Sequence, residues 1–243
     1  NHKKVSLVLP AYNEAKNIGQ ALKEFLATNL FDEIIVVDNN STDKTSAAAK
    51  NYGVKVVKEL NQGYGFALRR GISEATGDYV VLCEPDGTFC ADDSKKLLSK
   101  IEDYDMVTGT RTNLSFVEAG ANMGFLLRFG NISVAKLIQY SFGIPKLTDC
   151  GCTYRVLNRS LVNKILPFLN VGWSHFLAQL VILTALSEKT ILEIPISYKK
   201  RVGVSKITGS IKRAVLVGIR MVTLVVKYRL IGKAVFKKSP EGN

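Results

Sequence analysis

Short apolar segments alternate with helix-like segments through the first third of the chain, and this alternation restricts the possible folds more than any other feature. Four apolar runs predict buried strands: Val5–Pro10, Glu33–Asp38, Val54–Lys58 and Tyr79–Cys83. The segments between them predict helices: Glu14–Asn29, a helix ending at Tyr52, and Phe66–Ala75. Strands separated in this way by single helices indicate βαβ units. We therefore expect an α/β fold in which a mainly parallel sheet is flanked by helices.

Polar residues follow the predicted strands. In an open α/β sheet, ligands bind outside the carboxyl ends of the strands. Asp38 ends the second strand and can accept hydrogen bonds from a ribose or a base. Gly63 and Gly65 precede a helix, where glycines let backbone N–H groups approach a phosphate. Each loop could also be a connecting turn, and the Gly63 loop carries neither a G-x-G-x-x-G nor a P-loop pattern.

The fourth strand ends at two carboxylates, Glu84 and Asp86. Hard cations such as Mg²⁺ and Mn²⁺ prefer oxygen ligands, and one or two carboxylates together with substrate phosphates are enough to hold one. We therefore predict that Asp86, with Glu84, binds a divalent cation on a nucleotide diphosphate. The alternative is a type I or II turn, in which Pro85 and Gly87 occupy their usual positions. Four cysteines without a C-x-x-C pair and only two histidines argue against a zinc site.

The positive charge of the chain is concentrated near its C-terminal end. The formal net charge is +12, and 12 of the 33 Lys and Arg residues lie between Lys199 and Lys238, where there is no Asp or Glu. The remaining 21 basic residues, 33 less 12, balance the 21 acidic ones. A basic segment seeks nucleic acid or an anionic membrane surface, and the apolar character of this one favours a membrane. Basic residues do not alternate with aromatic ones here, so we expect no nucleic-acid partner.

Within this basic region, Ser210–Ile231 predicts a long apolar helix. Its uncharged runs fall short of the ~18 apolar residues of a spanning helix. Cations recur every seven residues and form one stripe: Lys206, Arg213, Arg220 and Lys227. We expect an amphipathic helix that lies in the membrane interface, or one that docks on a second protomer. The start of the chain shows no signal-peptide pattern, so we expect the cytoplasmic face.

Further elements are predicted in the second half of the chain. Asn122–Phe142 predicts a helix, which is either a core helix or one that lies on the bilayer and presents Arg128 to a lipid phosphate. Cys152–Ile165 and Phe176–Leu186 predict helices that cover the sheet. Ile191–Tyr198 predicts a strand, and its proline places that strand at an edge of the sheet.

Four segments, in this order and spacing, resemble the motifs of family 2 glycosyltransferases with the GT-A fold, a Rossmann-like architecture. They are Pro10–Glu14, Val36–Asp43, Asn61–Gly65 and Glu84–Asp86. Segments of the second half narrow the resemblance to the dolichol-phosphate mannose synthase and polyprenyl-phosphate glycosyltransferase branch. They are Gly109–Arg111, Arg128, Gly130–Asn131, Thr148–Arg155 and Arg201–Lys206. Glu84 replaces the usual aspartate and Thr88 replaces the glutamine frequent in mannose synthases, so GDP-mannose and UDP-hexose donors both stay open.

The resemblance implies roles for the matching residues. Those that would border the nucleotide sugar are Pro10, Tyr12, Glu14, Asp38, Gly63, Glu84 and Asp86, with Arg201, Ser205 and Lys206 closing over the diphosphate. Those that would meet the acceptor phosphate are Arg111, Arg128 and Ser133. Asp86 would bind the Mg²⁺ or Mn²⁺ ion, with Glu84 beside it. Without the resemblance, the two arginines would be read as solvated surface residues.

The resulting hypothesis is a metal-dependent, inverting glycosyltransferase that moves a hexose from a nucleotide sugar to a polyprenyl or dolichyl phosphate. Catalysis would rest on the metal and cationic side chains, which stabilise the leaving diphosphate. The acceptor phosphate is already anionic; should a base be needed, Asp149 is the candidate, and otherwise it is a turn residue. A saccharide or protein acceptor, and a non-catalytic membrane-bound subunit, are the alternatives. We expect residues 1–110 to bind the donor, 111–206 the acceptor and 207–243 the membrane.

Overall fold

The structure, a computed structural model, describes residues 2–118, 121, 125–200 and 211–237, which form one sheet and the helices around it. The strands are β1 Val5–Ala11, β2 Glu33–Asp38, β3 Lys55–Lys58, β4 Tyr79–Leu82, β5 Met106–Thr110, β6 Arg155–Asn158 and β7 Ile191–Pro195. The α-helices are α1 Ile18–Ala27, α2 Thr45–Lys50, α3 Tyr64–Glu74, α4 Asp93–Leu98, α5 Phe125–Phe142, α6 Arg159–Ile165, α7 Phe176–Leu186 and α8 Ile211–Ile231.

The sheet has the strand order β3-β2-β1-β4-β6-β5-β7, and all its strands except β6 run in one direction. The mainly parallel sheet is thereby confirmed, as is the edge position of β7. β6 pairs antiparallel with both β4 and β5, and Arg155 at its start faces Leu82 and Thr108 near the ends of those strands. The loop before β6 therefore reaches the same edge of the sheet as the loops that follow the parallel strands.

The prediction of a helix over Cys152–Ile165 was wrong in its first half, because Arg155–Asn158 forms β6 and the helix begins only at Arg159. β6 is covered on both faces of the sheet, and Val156 and Leu157 are both fully buried. A short apolar run of this kind lacks the alternation of a half-exposed strand, so its periodicity does not distinguish a buried strand from a helix.

Apolar layers cover both faces of the sheet. Successive side chains of a strand point to opposite faces, and along β1 Leu7 and Leu9 join the layer of α1 and α4, whereas Val8 joins the layer of α3 and α7. The second layer also contains Ala135 of α5 and Tyr228 of α8. The C-terminal helix is therefore part of the main core.

The two helices α5 and α8 pack against each other, and each also presents apolar side chains to solvent. On α8 the buried row is Met221, Leu224, Val225 and Tyr228, and the exposed row is Val215, Ile219, Val222, Val226 and Leu230. On α5 the exposed row is Phe129, Leu137 and Tyr140, whereas Ala135 and Ile138 are buried. The α5 segment is thus a core helix on one side and an exposed apolar surface on the other. Across the described parts of the chain, no helix has the length and apolar composition needed to cross a membrane.

Candidate active site

A cavity of about 480 Å³ opens at the carboxyl ends of β1, β2 and β4. Its lining comes from the end of β1, from the loops after β1, β2 and β4, from α3 and the loop before it, and from the segment before α7. The residues are Pro10, Ala11, Tyr12, Glu14, Asn39, Gln62, Gly63, Tyr64, Ala67, Glu84, Pro85, Asp86, Trp173 and Ser174. Six of the residues predicted to border the nucleotide sugar are therefore brought together: Pro10, Tyr12, Glu14, Gly63, Glu84 and Asp86.

Asp38 lies beside the cavity, and its carboxylate is used to build the turn after β2. Its Oδ1 accepts a hydrogen bond from the Ser41 N–H at 2.9 Å, and its Oδ2 accepts one from the Ser46 hydroxyl. Burial alone would raise the pKa of Asp38, but these hydrogen bonds bring it below its ordinary value. The neighbouring Asn39 lines the cavity instead.

The glycines of the Gly63 loop serve a close backbone contact. The Gly63 N–H donates to Asn39 Oδ1 at 2.8 Å, and the Gly65 N–H donates to the Gly172 carbonyl at 2.9 Å. A Cβ at Gly63 would lie 2.3 Å from the Gly172 oxygen, and a Cβ at Gly65 would lie 2.1 Å from the Val171 oxygen. These two N–H groups are thus bound to protein oxygens. The sequence predicts instead that the glycines let N–H groups approach a phosphate.

The acid pair after β4 lies at the floor of the cavity. Asp86 is 1 % exposed, and its Oδ1 accepts hydrogen bonds from the N–H of Thr88 at 3.0 Å and from its hydroxyl at 2.6 Å. Glu84 Oε1 accepts from the Tyr64 hydroxyl at 2.8 Å and from the Thr153 hydroxyl at 2.6 Å. Both carboxylates are therefore held in place by neighbouring hydroxyls.

The two carboxylates also repel each other. Burial, and after it the negative charge of Asp86, raises the pKa of Glu84 to about 7. A divalent cation between such groups removes the repulsion and lowers the pKa of its ligands. The pair offers the carboxylate oxygens of the buried Asp86 and the half-buried Glu84 on the lining of one cavity, so it fits the hard cation predicted from the sequence.

A second polar cluster surrounds Arg111, which follows β5. Its Nε donates to Asp149 Oδ2 at 2.8 Å and its Nη2 donates to Asp149 Oδ1 at 2.9 Å, a two-pronged ion pair. Its guanidinium lies 5.4 Å from the ring centre of Tyr198. Arg128 of α5 donates through Nη2 to the Thr112 carbonyl at 2.7 Å, and its buried Nε makes no hydrogen bond to any residue that the structure describes. The cluster thus carries two guanidinium groups on adjoining segments.

Asp149 is fully buried and orients Arg111. It also accepts hydrogen bonds from the N–H groups of Arg111 and Gly151 and from the side chain of Asn131. Burial alone would raise the pKa of Asp149, but the charge and hydrogen bonds of Arg111 bring it below its ordinary value. A carboxylate held in this way is a weak proton acceptor, and its contacts agree with the interpretation of Asp149 as a turn residue.

One residue predicted to meet the acceptor phosphate stands apart from this cluster, and three predicted to close over the diphosphate are not described. Ser133 is exposed, and because it lies five positions after Arg128 it points about 140° away around the helix. Arg201, Ser205 and Lys206 lie outside the described residues.

The acid pair and the arginine cluster lie at the same end of the sheet, where β4 and β5 have their carboxyl ends. β4 and β5 flank β6, so their ends are two strand spacings apart, roughly 10 Å. Burial raises the pKa of Tyr198, the charge of Arg111 lowers it, and those of Glu84 and Asp86 raise it further. The Tyr198 ring therefore lies within electrostatic reach of both groups, and one ligand of nucleotide-sugar size can reach from one to the other.

Comparison with known proteins identifies the family. The model of Glycosyl transferase family 2 matches residues 6–166. The chain belongs to this family. It is 31 % identical to a dolichyl-phosphate hexose transferase of Haloferax volcanii over 84 % of this chain and 86 % of that protein. It is 32 % identical to the dolichyl-phosphate beta-glucosyltransferase of Saccharomyces cerevisiae over 93 % of this chain and 76 % of that protein.

The fold of the transferase is of the GT-A type, as the resemblance implied. Glucosyl-3-phosphoglycerate synthase from Mycobacterium tuberculosis, in complex with phosphoglyceric acid, superimposes with a TM-score of 0.73 at 19 % identity, over 93 % of this chain and 80 % of that one. The same synthase has also been solved with Mn²⁺, UDP and glucosyl-3-phosphoglycerate, and that structure gives a TM-score of 0.72. The predicted enzyme class, a glycosyltransferase, is confirmed by the family.

Several residues of the site were given no role from the sequence, although Tyr64, Asn131 and Thr153 stand within segments that carry the family resemblance. They are Tyr64 and Thr153 on Glu84, Asn131 and Glu193 around residues 148–149, and Trp173 and Ser174 at the cavity rim. Most of them act through contacts between distant parts of the chain. One sequence signal could have pointed to the rim residues as part of a site. A glycine followed by the only tryptophan of the chain stands in a segment without predicted structure.

Proposed function

We propose that this transferase moves a hexose from a nucleotide sugar to a polyprenyl or dolichyl phosphate. The observation that carries the proposal is a cavity lined by the buried Asp86 and the half-buried Glu84, beside a cluster of two arginines at the same end of the sheet. Two of the relatives at 31–32 % identity are named dolichyl-phosphate hexose transferase and dolichyl-phosphate beta-glucosyltransferase. In this proposal residues 1–110 supply most of the donor site, to which Trp173 and Ser174 are added, and the acceptor site lies within 111–206.

The nucleotide sugar occupies the cavity in this proposal. Pro10, Tyr12, Glu14 and Gly63 border the nucleotide, while Asp38 supports the turn beside it. Asp86 and Glu84 would hold a Mg²⁺ or Mn²⁺ ion beside the diphosphate. When bound, that ion would supply positive charge where negative charge develops on the leaving group.

The acceptor phosphate lies against the arginine cluster. Guanidinium groups bind phosphate oxygens through paired hydrogen bonds, and Arg111 and Arg128 present two such groups. One phosphate oxygen forms a bond to the anomeric carbon while the bond from that carbon to the diphosphate breaks, and the nucleoside diphosphate leaves with the electron pair. Attack opposite the leaving group inverts the anomeric configuration. The attacking oxygen is already anionic, so Asp149 serves to orient Arg111 and no proton has to be removed.

A direct assay tests the acceptor. We expect the purified protein, with Mn²⁺ and either UDP-glucose or GDP-mannose, to glycosylate a short-chain prenyl phosphate, and we expect the matching prenol without phosphate to give no product. Mass spectrometry of the lipid fraction detects the product. Transfer to a free saccharide or a peptide, with none to the prenyl phosphate, would replace this proposal with the alternative acceptor.

The exposed apolar rows of α5 and α8 suggest where the lipid acceptor comes from. α8 also exposes Arg220 and Lys227, so apolar and cationic side chains stand on the same helix. Such helices lie in the interface of anionic bilayers, and the cytoplasmic leaflet carries negative surface potential. We include in the proposal that the transferase binds the cytoplasmic face of a membrane through α5 and α8, and docking of a second protomer there is the alternative.

Flotation with vesicles checks this surface. We expect the protein to float with vesicles that contain anionic lipid, and the double variant Ile219→Asp, Val226→Asp to float at least about tenfold less, because two charges would have to enter the interface. Leu26→Asp is the matched control, since Leu26 is an exposed apolar residue of α1 in the opposite layer. Equal flotation of all three proteins would rule out the α8 surface, and a change of oligomeric state in the double variant alone would favour the second protomer.

A further inference from the structure

The segment before α7 reaches the cavity without belonging to any motif of the site. We call residues 169–174 the rim loop. Leu169 is buried, whereas the Trp173 side chain is 52 % exposed and, with Ser174, lines the cavity. An indole that is half exposed at the edge of a cavity presents an apolar face to a planar ring of a ligand.

The rim loop is fixed to the start of α3 by close backbone contact. The Gly172 carbonyl accepts hydrogen bonds from the N–H groups of Gly65 at 2.9 Å and Phe66 at 3.4 Å. A Cβ at Gly172 would lie 2.2 Å from the Phe66 ring, so the loop and the helix leave no room for a side chain between them. Gly63 in turn is bound to Asn39 after β2. These contacts tie the rim loop to the start of α3 and, through it, to the loop after β2.

Gln179 of α7 holds the rim loop from inside the protein. This side chain is fully buried, and its Oε1 accepts hydrogen bonds from the N–H groups of Asn170 at 3.2 Å and Val171 at 3.0 Å. Its Nε2 lies 2.8 Å from Asn170 Oδ1, 3.2 Å from the Phe168 carbonyl oxygen and 2.6 Å from the hydroxyl of Tyr228 on α8. The Tyr228 side chain is 2 % exposed. A continuous chain of contacts therefore runs from the C-terminal helix through Gln179 to the cavity rim.

We propose that the rim loop forms one wall of the nucleotide site, with Trp173 against the nucleotide, and that Tyr228 is a positioning residue that fixes this wall through Gln179. The proposal rests on the proposed function in one respect, namely that the cavity takes a nucleotide sugar. Removal of the Tyr228 hydroxyl takes away the shortest of the three contacts of Gln179 Nε2, so the amide shifts toward Asn170 and Phe168 together with the loop it holds. The nucleotide loses a well-placed wall, while the chemistry at the anomeric carbon is unchanged.

The chain contains a built-in reporter, because Trp173 is its only tryptophan. We expect UDP or GDP, each with Mn²⁺, to change the emission of Trp173, and we expect Trp173→Ala to weaken binding of that nucleotide about tenfold or more. We expect Tyr228→Phe to shift the emission of the free protein and to weaken nucleotide binding about 3- to 10-fold, the effect of one hydrogen bond. Its KM for the nucleotide sugar should rise by the same factor, with kcat within about twofold of the wild type.

Two comparisons separate positioning from general destabilisation. Thr223→Val removes a hydroxyl from the same helix, but that hydroxyl donates only within the helix, to the Ile219 carbonyl at 3.0 Å, so we expect unchanged binding. In a Trp173→Ala background, Tyr228→Phe should weaken nucleotide binding, measured by calorimetry, by less than about twofold, because the side chain it positions is gone.

The outcomes distinguish this proposal from the proposed function. If calorimetry shows nucleotide binding but Trp173 emission does not respond, or responds to UDP-glucose and not to UDP, the rim loop is not a wall of the nucleotide site. If Tyr228→Phe weakens binding equally with and without Trp173, or not at all, its positioning role is refuted. If neither nucleotide binds, the proposed function itself fails together with this inference.

Discussion

Asp86→Asn should reduce glycosyl transfer by roughly 10²- to 10³-fold, the loss that follows removal of one preorganised electrostatic contact from a transition state. Asparagine keeps an oxygen that can accept the two hydrogen bonds from Thr88, so the turn survives while the charge that binds the cation is lost. Steady-state transfer rates and Mn²⁺ binding in the presence of UDP measure the two effects, and thermal unfolding verifies that the variant is folded.

The comparison with Asp86→Ala separates the two interpretations of this residue. Alanine loses both the charge and the turn contacts. If residue 86 only builds the turn, the Asn variant should retain transfer and only the Ala variant should lose it. If residue 86 is a metal ligand, both variants should lose transfer. Asp92→Ala is the matched surface control, because the Asp92 side chain is 74 % exposed, and we expect unchanged transfer. Full transfer by Asp86→Asn would refute the metal role.

Arg111→Ala should destabilise the protein by about 3–5 kcal/mol, because it leaves the carboxylate of Asp149 buried without its cation. Asp149 is fully buried and both of its oxygens bind Arg111. For a chain of this length, such a loss lowers the melting temperature by roughly 6–20 °C. Transfer to prenyl phosphate should fall as well, measured well below the melting temperature of the variant.

The double variant Arg111→Ala, Asp149→Asn tests the cause of this instability. It removes the buried charge, so we expect it to recover at least about half of the lost stability without recovering transfer. The surface pair of Arg70 and Glu74 provides the control, because Arg70→Ala breaks an ion pair of 2.8 Å at an exposed site and should cost less than about 1 kcal/mol. A double variant as unstable as Arg111→Ala would show that the buried charge is not the reason.

The sequence predicted the parts of the fold that depend on local pattern. Tyr79–Cys83 became β4, Phe176–Leu186 became α7 with the same bounds, and the proline of β7 correctly indicated an edge strand. β6 was missed because Val156 and Leu157 are buried within a sheet that is covered on both sides, where alternation disappears. Strand direction also follows from packing and could not be obtained from composition.

The residues of the candidate site also fall into those that local sequence pattern predicts and those that depend on tertiary contacts. The residues that line the cavity after β1 and β4 were predicted, because ligand-binding loops follow strands and carry recognisable polar motifs. Thr153 was missed since it meets Glu84 across 69 residues of chain, and Glu193 was missed since it binds Thr148 from a strand 45 residues later. Such partners are ordinary polar residues in sequence, and only the tertiary structure gives them a role.

If the acceptor is the proposed lipid phosphate, the position of Arg128 on α5 has a consequence for how far that lipid must leave the bilayer. Arg128 and the exposed Phe129 are consecutive on one rigid helix, so the guanidinium lies within one residue of the apolar row. With that row at the bilayer surface, the guanidinium stands at the level of the headgroups. A long isoprenoid tail would then stay among the acyl chains throughout the reaction, and the enzyme would have to bind only its phosphate end.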